Sequence, residues 1–84
     1  MTKFSRKRQK TLGKKLLAIR KHLGLSQREL VKELGLEGIY GSGIAEYESG
    51  KREPPLWVLL RYADSVGISL DNLIRDELDL PDLY

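Results

Sequence analysis

The chain has no cysteine, so neither a disulfide framework nor thiolate chemistry is available and packing alone must hold the fold. A single histidine, His22, excludes a histidine metal cluster or a histidine-based triad within one chain; beside Arg20 and Lys21, it suits an exposed helix end. No apolar run approaches the ~18 residues of a membrane span, and no apolar stretch follows the charged N-terminus. Neither a membrane segment nor a secretory signal is expected, and a cytoplasmic protein is. Acidic residues are missing from positions 1–28, which hold ten Lys or Arg, whereas residues 29–70 sum to −3 and residues 71–84 to −4. The net charge of +3 therefore conceals a polycationic end. Such a stretch gathers at phosphate by counterion release, which favours nucleic acid over a membrane surface, since the latter would also need an apolar helix face. Taken alone, "SRKRQK" also fits a solvated tail without a partner.

With 84 residues, the chain suits one small domain with a modest core. Leu12, Leu16, Ile19 and Leu23 recur at helical spacing before Gly24, a helix stop. "LSQREL" follows, where Ser26 can cap a second helix, Glu29 can reach back, and Leu25 can staple onto Leu30. That helix buries Leu30, Val31 and Leu34 and stops at Gly35. A short third helix is predicted from about Ser42 to Ser49, burying Ile44 and Tyr47. After the loop "GKREPP", Leu56, Leu59, Leu60, Ala63 and Val66 predict the core stripe of a fourth helix, begun by Pro54-Pro55 and ended by Gly67. Ile68 and Ser69 repeat the staple and cap before a fifth helix carrying Leu70, Leu73 and Ile74. The expectation is an all-α fold of five helices.

Five glycines between residues 34 and 51 raise the question of a phosphate cradle. A P-loop ending at Gly50-Lys51 would need glycine at Ala45 and Ser or Thr at Arg52. A dinucleotide fingerprint on Gly41 and Gly43 would need glycine at Glu46 and a preceding strand. Both fail, and the glycines read instead as a lengthened, flexible turn. Asp76, Glu77, Asp79 and Asp82 alternate with leucines without calcium-loop spacing. No enzyme, cofactor or metal is expected.

The ordered pieces "LLAIRKHLGLSQRELVKELG", "GIAEYESGKREPP" and "LLRYADSVGISLDNLI" resemble the Xre family of phage-repressor and Cro-like helix-turn-helix proteins over about residues 12–75. The resemblance implies a five-helix lambda-repressor-like domain (residues 11–75) between a basic arm (1–10) and an acidic-apolar tail (76–84). It implies that the third helix enters the major groove of double-stranded DNA. Gln27 with Arg28, and Ser49, Lys51 and Arg52, then fall at phosphate-contacting places, joined by Lys3, Arg6, Lys7 and Arg8 of the arm. Arg20 and Glu48 occupy the places of a structural ion pair. Aligning Ile44 with the family's buried isoleucine leaves Leu36, Glu37 and Gly38 as surplus in the turn between helices two and three. Tyr40, Gly41, Ser42 and Glu46 then fall where the family presents groups to base edges. Gly41 can offer only its backbone, Glu46 can accept from cytosine N4, and Ser42 can cap, meet phosphate or touch a base. Tyr40 fits either the core or a contact with phosphate or a thymine methyl.

One short recognition helix reads little sequence, and relatives pair two of them on half-sites about 34 Å apart, so a homodimer is expected. Trp57, Val58 and Tyr62 would give the fourth helix a second buried face, with Leu78, Leu80, Leu83 and Tyr84 of the tail covering a neighbour's groove; alternatively Trp57 and Tyr62 complete a small core. The implied function is a sequence-specific bacterial or phage transcriptional regulator, more often a repressor. The rivals are an antitoxin or adaptor binding a protein partner through its tail, and a sequence-tolerant DNA binder. Replacing Lys51 or Arg52 by alanine should weaken all duplexes evenly, whereas Ser42→Ala or Glu46→Ala should change the preferred sequence.

Overall fold

The computed structural model describes residues 11–83, and within them every regular element is a helix. In chain order these are α1 (Leu12–Leu23), α2 (Gln27–Glu33), α3 (Gly41–Ser49), α4 (Leu56–Val66) and α5 (Leu70–Ile74). Their ends follow the local chemistry. Ser26 accepts from the Glu29 amide while the Glu29 carboxylate accepts from the Ser26 amide, completing a capping box at the head of α2. Gly24, Gly50 and Gly67 take left-handed conformations that end α1, α3 and α4. Ser69 stands at the cap of α5, yet its hydroxyl turns to the Asn72 side chain instead of a backbone amide.

Leu16, Ile19, Leu30, Ile44, Val58, Tyr62 and Leu73 are fully buried and draw on all five helices, so one core serves the whole domain. α3 lies against both α1 and α2, while α4 and α5 pack on each other and on α1. Two helix ends are plugged by long cations from other helices. Lys15, only 6% exposed, donates from Nζ to the carbonyls of Asn72 at 2.7 Å and Arg75 at 2.8 Å, so its ammonium closes the C-terminus of α5. Arg61 does the same for α2, donating to the Leu34 carbonyl at 2.8 Å, while Arg20 braces the link that follows its own helix by donating to the Leu25 carbonyl at 3.0 Å.

Three expectations need correction. In α4 the buried stripe is Val58, Leu59, Tyr62 and Ala63, whereas Leu56, Trp57 and Leu60 are 60%, 41% and 43% exposed. An α4 apolar nearly all round gives its periodicity no unique face, and the pairs Val58/Tyr62 and Leu59/Ala63 win the core. Val58 and Tyr62 are thus unavailable to a neighbour. Leu80 and Leu83 also pack against this chain's own core, leaving Leu78 as the exposed leucine of the tail; Tyr84 lies outside the described residues. Leu36, read as surplus in the turn, is buried, and Ile39 packs against the core beside it. The longer connection between α2 and α3 is therefore anchored at both apolar positions, and only Glu37 and Gly38 between them are fully outside.

Candidate nucleic-acid interface

α2 and α3 are joined by residues 34–40, where Gly35 and Gly38 take positive φ and allow the chain to reverse twice. Gly41 and Gly43 do something else: both are helical, and both face inward. A Cβ on Gly41 would lie 3.6 Å from the Arg28 amide nitrogen, and one on Gly43 3.3 Å from Ile39. Gly41 thus turns its missing side chain toward α2, and α3 starts close against the head of that helix. Tyr40 is the residue before α3 and is 77% exposed, which removes its core alternative. With Tyr40 at the N-cap and α3 lacking a side-chain cap, Ser42 sits inside the first turn and its capping role is also removed.

On α3 the inward face is Ile44 and Tyr47, both buried; Ser42, Glu46 and Ser49 recur at i, i+4 and i+7 on the outward face. Beside this face run Gly38, Ile39 and Tyr40 of the connection, and with Arg52 they enclose a groove of about 290 Å³. The helix ends in a tight knot about one atom, since the Glu46 carbonyl accepts from the amides of Lys51 at 2.9 Å and Arg52 at 3.2 Å, and from the Ser49 hydroxyl at 3.1 Å. Ser49 therefore spends its proton within the helix and meets an incoming phosphate only after rotating. Arg52 folds back over α3, placing Nε 3.2 Å from Glu46 Oε1. Two residues expected to contact different parts of DNA are thus joined to each other.

Behind α3, Glu48 is held by a network. Arg20 donates Nε to Oε2 at 2.6 Å and Nη2 to Oε1 at 3.1 Å, and Gln27 donates to Oε1 at 3.2 Å. This ties α1, α2 and α3 together. One Gln27 amide proton is thereby committed to Glu48. The Glu48 bond raises the Arg20 pKa further above its already high ordinary value, so the cation is permanent.

Lys3, Arg6, Lys7 and Arg8 lie outside the described residues, but the root of their segment does not. The start of α1 passes so close to the end of α3 that a Cβ on Gly13 would collide with the Glu48 carbonyl oxygen and lie 3.0 Å from that of Tyr47. Leu12 and Gly13 share a small cavity with Gly50, Arg52 and Pro54, so the head of α1 lies beside the Lys51-Arg52 loop. Thr11 is fixed there by Asp76, which accepts from both its amide and hydroxyl. Gly13, Lys15 and Arg61 were not singled out from sequence. A glycine inside a helical pattern is a signal of close approach that could have marked Gly13; Lys15 and Arg61 look like any surface cation.

A family model described as a helix-turn-helix domain matches residues 13–78. The chain belongs to the Xre-like helix-turn-helix family. No curated protein and no solved structure matches it. The matched span contains all five helices of this Xre-like domain apart from Leu12, together with the Lys51-Arg52 loop, and leaves residues 1–10 outside. Membership supports DNA binding and goes with a family that is typically non-enzymatic. Among the described residues no group of His, Cys, Asp or Glu could hold a metal ion, and no helix is long and apolar enough to cross a membrane.

Proposed function

We propose that this protein is a sequence-specific double-stranded-DNA-binding transcriptional regulator that represses by occupying its site, with α3 in the major groove. The observation that carries the reading is the outward face of α3, where Ser42 and Glu46 stand beside exposed Tyr40 while Ile44 and Tyr47 anchor the opposite face. Arg28 on one side and Lys51 and Arg52 on the other are exposed cations placed to neutralise the two phosphate rows that border a groove. Gln27 adds a neutral donor, and the Lys- and Arg-rich sequence of residues 1–10 adds positive charge.

The active form is a homodimer. Val58 and Tyr62 belong to the core, so the surface for a second copy is the exposed trio Leu56, Trp57 and Leu60 on α4. The adaptor reading weakens, because Leu80 and Leu83, the apolar residues its partner would grasp, are packed against this chain.

Titration with duplex at two salt concentrations tests the proposal. Affinity should fall steeply as salt rises, with a log–log slope of about −0.9 per phosphate neutralised. A salt-independent or absent interaction would remove it.

A further inference from the structure

The Glu46–Arg52 pair divides the expected roles differently from a simple split between base readers and phosphate clasps. Glu46 lies on the outward face of α3 at the edge of the groove, and a bare carboxylate entering between two phosphate rows is repelled. Here it does not enter bare. Arg52 is brought back over it by the left-handed turn at Gly50, with φ of 80°, and by the bonds from the Lys51 and Arg52 amides to the Glu46 carbonyl. These backbone bonds fix where Arg52 starts, so its Nε meets Glu46 Oε1 at 3.2 Å. The contact is made by Nε, one nitrogen of a five-donor fork. It leaves Glu46 with acceptor capacity on both oxygens.

We propose that Arg52 is a specificity-determining positioning residue: it neutralises and aims the Glu46 carboxylate, so that Glu46 accepts a hydrogen bond from a cytosine N4 amino group in the major groove. This rests on the DNA-binding reading above and amends one of its expectations. A pure phosphate clasp would lose affinity evenly over all duplexes when removed. Arg52 instead carries base preference through Glu46, whereas Lys51 of the same loop carries affinity alone.

The test is selection of bound duplexes from a random pool by the wild-type protein and by E46A, R52Q, R52K and K51Q, each checked for an unchanged melting transition. Arg52 is exposed, so its replacement leaves the core intact. The wild type should favour cytosine at one position of its site by about tenfold over other bases. E46A and R52Q should both reduce that preference to about twofold or less, E46A combined with R52Q should go no further, and R52K should restore part of it. K51Q should bind more weakly with the same preference. An R52Q protein that keeps the cytosine preference, or an E46A protein that does, overturns the inference. A wild-type protein that binds no duplex fails at an earlier step and removes the DNA-binding reading itself, an outcome that the titration against salt reports separately.

Discussion

Arg20 and Glu48, 28 residues apart in sequence, meet through two hydrogen bonds of 2.6 and 3.1 Å with side chains only 15% and 7% exposed. The pair fastens the back of α3 to α1, and Gln27 adds α2 to the same carboxylate. The outward face of α3 is therefore held from behind by charge as well as by Ile44 and Tyr47. Removing one partner leaves the other charge largely buried without compensation. Arg20→Ala or Glu48→Ala should cost about 3 kcal/mol in denaturant unfolding, while joint replacement by Met and Leu should cost much less.

Gly13 has no room for a side chain, because the Glu48 carbonyl stands where its Cβ would be. Gly13→Ala should destabilise the domain by about 2 kcal/mol even though alanine is the better helix former. Gly41→Ala, whose Cβ would make only ordinary contact with α2, should be near neutral. Parallel thermal melts compare the two.

Tyr62 is fully buried, and its hydroxyl has no hydrogen-bond partner among the described residues. Burial raises its pKa well above the ordinary tyrosine value, with the Glu48 charge adding to the effect. The unfolded chain ionises first as pH rises, so this contribution to stability is intact below about pH 10 and drains away above it. Tyr62→Phe should flatten that alkaline loss, leaving the smaller part due to Tyr47, which burial also raises. At neutral pH the same variant should be as stable as wild type or about 1 kcal/mol more so, because an unpaired buried hydroxyl is removed. Unfolding free energies measured from pH 7 to 11 give both answers.

Helices were legible in the sequence wherever a cap, a stop glycine and an apolar period agreed, as with Ser26, Glu29 and Gly35 around α2. The family resemblance then supplied the order in which those helices are used. α4 shows the limit: Leu56, Trp57, Val58, Leu59 and Leu60 offer an apolar residue in every direction, and only the position of the remaining helices decides which ones go inside. Leu36 shows another, since an apparent insertion can still supply a core residue. Side-chain pairings such as Glu46 with Arg52, or Lys15 with the end of α5, depend on where Gly50 and α5 turn the backbone, which residue type does not reveal.

The exposed trio on α4 gives the dimer proposal its own check. Sedimentation at micromolar concentration should show dimers for the wild type and monomers for Leu60→Lys, with folding unchanged because Leu60 is already solvent-exposed. A wild type that sediments only as a monomer would remove the proposal.

The proposed contact with DNA is the outward face of α3. Chemical-shift mapping of the backbone amides during titration with duplex tests it most directly. The largest changes should fall on Tyr40, Ser42, Glu46 and Ser49 and continue through Lys51 and Arg52 and into the head of α2 at Gln27 and Arg28. Changes confined to α4 and the tail, with the α3 amides unmoved at saturation, would show that another face meets DNA.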